Sequence, residues 1–326
     1  MKAQNPTLSK APPLPLVAYP FGPKAFATNV IWGGAVADAI GNPLEFKSTV
    51  TDKDFGVVAA GKGPLMISDD TQMTLFLMEA LLGGTDPKTA LLRWYATQRA
   101  SKKMAAMGSV DYTNGLMKFK SMHHVEAPGG TCMGSCATLS NGWEVMNDSK
   151  GNGTVMRAAP FALMGILDGV AGGWVRAAAK ADALLTHKHP FAWMSSVLLC
   201  EIYLNIYKGL PLGMAVTTSI RDLPEVDSYI ANMVLAMFSR QDYDKLRSRR
   251  CGWVAEEALA LAIGSVLHHD TYLTVVKAAC QGVSSDSDTV AGIAGGLAAA
   301  VGMHPCSTLK DRVVAKDAIK YITDLI

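Results

Sequence analysis

DSDTVAGIAGGLAAAVGM, residues 286–303, is the stretch whose reading decides the fold. From Val290 to Met303 no charge occurs and Gly and Ala predominate. A bilayer span takes about 20 apolar residues, so this run predicts a helix buried against other helices. Asp286, Ser287, Asp288 and Thr289 place two carboxylates and two hydroxyls where that helix begins. Composition points the same way: the chain is 49% hydrophobic but 7% aromatic, so its apolar mass is Ala, Leu, Val, Ile and Met, side chains that suit close helix packing.

Working outward, the same helix-start pattern recurs at Ser68-Asp69-Asp70-Thr71, ahead of an apolar stripe of Met73, Phe76, Leu77, Ala80 and Leu81. Asp86 followed by Pro87 predicts an N-cap and first helical residue. Between Thr28 and Ile40 apolar residues recur at helical spacing until Gly41-Asn42-Pro43 ends the run. A polar, Gly-rich loop is expected from there to Met66, and loops again over residues 121–153. Later helices are predicted at 170–185, 190–208, 212–221, 226–239, 253–268, 271–281, 288–303 and 309–325. No alternating strand pattern appears. The expectation is a single all-α domain over residues 28–326, an orthogonal bundle, preceded by an extended or disordered arm, residues 1–27, with six prolines.

With 30 basic and 28 acidic residues the formal charge is +2, which gives no field of the kind a dedicated nucleic-acid binder carries. A small ligand is the simpler partner. The six cysteines lack a paired metal-binding or disulfide spacing and read as reduced thiols of a cytoplasmic protein. Neither a signal peptide nor a membrane segment is predicted.

Capping alone would explain either acidic helix start taken singly, at roughly 0.5–2 kcal/mol per cap. Together they ask for more. A cap and first turn are partly unwound, so neighbouring oxygens there can converge on one point. Two carboxylates 4 Å apart repel by about 4 kcal/mol at an effective dielectric near 20, and four of them in an apolar setting need cations. The donors are hard oxygens with no adjacent His or Cys, which selects magnesium or manganese over zinc. Ser68, Asp69, Asp70, Asp286, Asp288 and Thr289 are the ligands this reasoning proposes, for two divalent ions.

Other positions carry weaker signals. Gly151-Asn152-Gly153 precedes a helix, and its glycines suggest positive φ with exposed N–H groups, an anion cradle; a plain turn is the bland alternative. Arg157 is placed to face a phosphate or to pair with a carboxylate. His187 is a candidate ligand contact, or a hydrogen-bonded structural histidine. Glu45 follows Pro43 in a segment free to swing. Trp143 and Trp253 read as core.

These residues are also where a family becomes visible. GAVADAIGNPLEF at 34–46, SDDTQM at 68–73, GNGTVMRAAP at 151–160, THKHP at 186–190, GWVAEEALA at 252–260 and DSDTVA at 286–291 together resemble the ADP-ribosylglycohydrolases, the group of the dinitrogenase reductase-activating glycohydrolase and the ADP-ribosyl-acceptor hydrolases. The resemblance implies an all-α fold around a dinuclear magnesium site whose ligands fall on the six residues above. It assigns Gly151, Asn152 and Gly153 to the ADP-ribose pocket and makes Glu45 a gating or acid/base carboxylate; from the residues themselves, Arg157 and His187 are candidate ADP-ribose contacts and Asp69 and Asp70 are expected to be catalytic with Glu45. The implied substrate is an ADP-ribosylated protein, arginine-linked in the first instance, or a small ADP-ribosyl conjugate. The alternative is an immunity protein against an ADP-ribosyltransferase toxin, acting by hydrolysis, by occluding the toxin with residues 1–27, or by both. Ser68 stands where the family usually has Thr, Ala37 where it has Gly, and Ser284-Ser285 where a Gly pair is common.

Overall fold

The computed structural model describes residues 22–99, 113–170 and 172–326. Among these, sixteen α-helices and a few 3-10 turns make up the chain, and pairing outside helices is limited to isolated bridges. In order they are α1 (Gly22–Gly41), α2 (Asp52–Ala59), α3 (Asp69–Leu82), α4 (Pro87–Gln98), α5 (Gly130–Ser140), α6 (Ala159–Asp168), α7 (Gly172–Thr186) and α8 (Pro190–Tyr207). There follow α9 (Leu212–Asp222), α10 (Ser228–Ala236), α11 (Arg240–Arg247), α12 (Ala255–Leu267), α13 (Tyr272–Cys280), α14 (Ser287–Ala300), α15 (Ser307–Arg312) and α16 (Lys316–Leu325). The chain is a single all-α domain. No described helix is long and apolar enough to cross a membrane.

The architecture is centred on α1 and α14, which run antiparallel in close contact, with α12 and α13 against α14 and with α3, α6 and α16 against α1. Small residues make that approach possible. A Cβ on Gly33 would fall 2.5 Å from Ala299 Cβ and from the Gly295 carbonyl oxygen, and one on Gly41 would fall 2.5 Å from the Ser287 oxygen. Ser287 Oγ donates to the Gly41 carbonyl at 3.0 Å, and Tyr272 hydroxyl to that of Gly33 at 2.6 Å. The functional consequence is positional: the C-terminal end of α1 is pinned beside the N-terminal end of α14.

Several boundaries differ from the sequence reading, each for a visible reason. α1 begins at Gly22, so residues 22–27 belong to a helix and not to an arm; Phe26 is buried and packs edge-on against Tyr207. The rest of the arm, residues 1–21, lies outside the described residues. The expected loop up to Met66 contains α2, started by a capping box between Thr51 and Asp54. The expected loop over 121–153 contains α5, whose Gly, Ser and Thr content hides a helix that buries Cys132, Ser135 and Cys136. α11 was missed because it is strongly polar, with Tyr243 and Leu246 its buried anchors. The last predicted helix is two, α15 and α16. Between them the backbone turns aside to pair with Leu65, which donates to the Arg312 carbonyl and accepts from Val314 N, both at 2.9 Å. Trp143, read as core, is 70% exposed.

Candidate metal centre

Three helix ends meet at one cavity of about 330 Å³. From α1 the chain turns through Asn42–Leu44 and delivers Glu45. From α3 come Asp69 and Asp70, and from the start of α14 come Asp286, Asp288 and Thr289; all line the cavity. One carboxylate oxygen each of Glu45, Asp286 and Asp288 lie within 4.8 Å of one another. The Gly151–Gly153 turn, His187, Trp253 and the 127–132 segment complete the lining.

The electrostatics are those of a site that wants positive charge. Among the described residues none of these carboxylates has an ion pair with Lys, Arg or His. Burial first, and then the neighbouring Asp286, push the Glu45 carboxyl up to about 8. Asp69 is likewise driven by burial to about 8, against a hydrogen bond from Gly129 N at 3.4 Å. Burial also raises Asp70 and Asp288 well above the usual carboxylate range, with Asp69 and Asp286 respectively adding to the effect. Asp70 Oδ1 is buried without a hydrogen-bond partner. Two charges 4.8 Å apart cost about 3–4 kcal/mol at an effective dielectric near 20, so the set is stable when protons or cations neutralise it. Oxygen-only donors, an orphaned carboxylate oxygen and the 4.8 Å cluster fit hard divalent cations.

The six residues proposed as ligands do not all arrive. Ser68 is fully buried but does not line the cavity. Its hydroxyl caps α3, accepting from Asp70 N at 3.2 Å and donating to Asp70 Oδ2 at 3.3 Å. Glu45, expected as a gating or acid/base carboxylate and not as a ligand, lies with Asp286 and Asp288 in a group of oxygens spaced so that it could hold a cation.

The glycine turn works differently from expectation. Gly151 has φ −54, and neither Gly151 nor Gly153 is among the positive-φ residues. Two of the N–H groups are already taken, Gly151 N by Ser149 Oγ at 3.3 Å and Asn152 N by the Trp253 carbonyl at 3.3 Å. The glycines are required for room: a Cβ on Gly153 would fall 2.5 Å from Cys132 Sγ, and one on Gly151 would fall 3.2 Å from His187 Nε2. Asn152 donates through Nδ2 to the Gly252 carbonyl and to Asp286 Oδ2, both at 2.8 Å, so it holds a carboxylate in place.

Arg157 is a correction. It is fully buried, does not line the cavity, pairs with Asp182 at 3.0 Å and donates to the Gly153 carbonyl at 2.5 Å. It also donates to Thr186 Oγ1 at 2.9 Å. With Arg157 donating to it, the Thr186 hydroxyl can donate in turn to His187 Nδ1, 2.8 Å away, an arrangement that places the histidine proton on Nε2, the ring atom beside Gly151. Burial, reinforced by Arg157, pushes the imidazole down to about 3, so His187 is neutral. The arginine therefore holds the glycine turn and the threonine beside His187.

The sequence reading missed Phe46 and Trp253 as site residues; residues 121–153 were expected as loops approaching the site, and their 127–132 segment does line the cavity. Phe46 adopts φ 63 and stacks on Trp253 with ring centroids 5.9 Å apart, directly after Glu45. Trp253, read as core, lines the cavity and donates from its indole to the Ser284 carbonyl at 2.8 Å. Ser284 itself has φ 44, the left-handed region that favours glycine.

Fold and site together define an all-α domain with carboxylates clustered at helix starts. Comparison with protein families makes this specific: the profile described as ADP-ribosylglycohydrolase matches residues 23–306, and the chain belongs to that family. Membership gives it ADP-ribosyl hydrolase activity in general terms. Among solved structures, one titled "ADP-ribosylglycohydrolase-related protein complex" is similar with a TM-score of 0.63 at 22% identity, covering 93% of this chain and 97% of that one, a likeness of fold. Comparison with curated proteins gives no match.

Proposed function

We propose that the protein is a magnesium-dependent hydrolase that removes ADP-ribose from a modified acceptor, arginine side chains in the first instance, and so reverses ADP-ribosylation. The observation that carries this reading is the convergence of Glu45, Asp286 and Asp288 within 4.8 Å, beside Asp69 and Asp70, with no side-chain cation paired to them among the described residues. Glu45, Asp69, Asp70, Asp286, Asp288 and Thr289 would hold two Mg²⁺, for which Mn²⁺ could substitute, with Ser68 one hydrogen bond behind Asp70. When bound, the cations would neutralise the carboxylates and supply Lewis acidity at the distal ribose and toward water.

The rest is supplied by the chain. Hydrolysis at the anomeric carbon passes through an oxocarbenium-like state, and the departing acceptor needs a proton. Glu45 is the group placed to exchange protons: its carboxyl is half-buried at the cavity wall, on the segment that follows α1. His187, neutral with its proton on Nε2, donates to a ribose or phosphate oxygen. Gly151 and Gly153 let the turn pack closely against His187 and Cys132, which keeps that donor at the cavity wall. Phe46, stacked on Trp253, forms the aromatic wall of the cavity beside Glu45.

Incubation of the purified protein with magnesium and an arginine-ADP-ribosylated protein should release free ADP-ribose, and EDTA or Asp69→Ala should abolish release. Equal turnover in chelated and magnesium-loaded samples would end the proposal. A panel of arginine-, serine- and nucleobase-linked substrates decides the acceptor. The alternative of toxin occlusion rests on an arm that lies outside the described residues. The described chain nearest to it, Gly22, stands at the other end of α1 from Glu45, about 30 Å away at 1.5 Å per residue.

A further inference from the structure

We propose that Asp38 is a positioning residue that sets the affinity of the cavity for its divalent cations without touching them. The inference rests on the metal reading above. Asp38 lies on α1, fully buried, seven residues before Glu45. Its carboxylate sits against the open N-terminus of α3. Both of its oxygens accept from Ser68 N at 3.1 Å, and Oδ2 accepts from Thr71 N at 3.3 Å and from the Thr71 hydroxyl at closer range. The residues on either side of Asp69 and Asp70 are therefore both fastened to one group on another helix. The two acids between them have little backbone freedom left.

A neutral cap would satisfy the same N–H groups, since Ser or Asn does so at most helix starts. A carboxylate adds a negative charge, and among the described residues no Lys, Arg or His pairs with this one. Asp38 and Asp70 also face a common internal cavity of about 40 Å³, so little protein separates them. An unpaired charge behind two carboxylates makes the metal-free site harder to keep ionised and the cation-bound site correspondingly favoured. That exchange makes sense of an ionisable cap where a neutral one would suffice. It also links α1 to both halves of the cavity, with Asp38 holding α3 and Gly41 packed on Ser287 holding α14.

Magnesium binding, measured by isothermal titration calorimetry without substrate, tests the assignment on wild type, Asp38→Asn and Thr71→Val. Circular dichroism and melting in EDTA report whether each variant folds. Asp38→Asn should bind magnesium about ten- to a hundredfold more weakly with native helix content, the range found when a partner behind a metal ligand is lost. Thr71→Val, which removes one donor to Asp38, should weaken binding several-fold. Saturating magnesium should restore kcat in Asp38→Asn, which a general structural lesion would not allow. Wild-type affinity in folded Asp38→Asn would overturn the inference; should that variant not fold, wild-type affinity in Thr71→Val would do so. A wild-type protein that binds no magnesium would overturn this inference and the proposed function together, whereas normal binding by wild type and variant alike overturns only the role of Asp38.

Discussion

The two acidic helix starts read alike in sequence but are built differently. At the α3 start, Ser68 caps the helix and the buried carboxylate of Asp38 ties down Ser68 and Thr71, so one charge supports two others. At the α14 start, Asp286 has no capping bond of its own. Its carboxylate is steadied by the neutral amide of Asn152, and the turn is held by Ser287 against Gly41. One half of the cavity is thus rigid and highly charged, and the other is held by neutral groups brought from distant sequence. A site assembled this way can keep the geometry of one half while the other adjusts to a cation.

The largest expected effect cuts through both halves. Asp286→Ala should lose ADP-ribose release as completely as Asp69→Ala, because either leaves an incomplete donor set; retention of activity by one variant alone would show that a single half suffices. Next, Asn152→Ala should weaken magnesium binding about ten- to a hundredfold in calorimetry while the fold persists. An unchanged constant would mean that Asp286 needs no support and that the two starts are equivalent.

The smallest effect is a pH dependence of stability. Glu45 and Asp69 have folded-state pKa values near 8, above their ordinary values of 4.5 and 3.8. Between about pH 4 and 8 the folded, metal-free protein therefore binds more protons than the unfolded chain, so these groups stabilise it at low pH and the contribution is lost as pH rises through 8. Melting in EDTA should show this part of the stability declining over that window. Magnesium should raise the melting temperature more at pH 8 than at pH 5, where protons compete for the same oxygens. An equal increment at both pH values would contradict the electrostatic description.

Local signals carried much of this into the sequence. Ser68-Asp69 and Asp86-Pro87 mark the starts of α3 and α4 because caps and N1 prolines act within one turn of backbone. The acidic pairs were legible because charge at the head of an apolar helix has few explanations. What stayed hidden depends on distant partners. The break between α15 and α16 is made by Leu65, and the arrival of Glu45 at Asp286 and Asp288 follows from how α1 lies on α14. Arg157 faces inward because Asp182, on another helix, takes its charge. Gly151 and Gly153 were recognised as special for the wrong reason: their backbone is ordinary, and side chains of Cys132 and His187 fill the space a Cβ would need.

The central claim is that the starts of α3 and α14 share divalent cations. Anomalous diffraction from crystals grown with Mn²⁺ tests it most directly. The account predicts two anomalous peaks in the cavity between Asp69 and Asp70 on one side and Glu45, Asp286 and Asp288 on the other. Manganese bound elsewhere, or this cavity without a peak while the acids point apart, would contradict it.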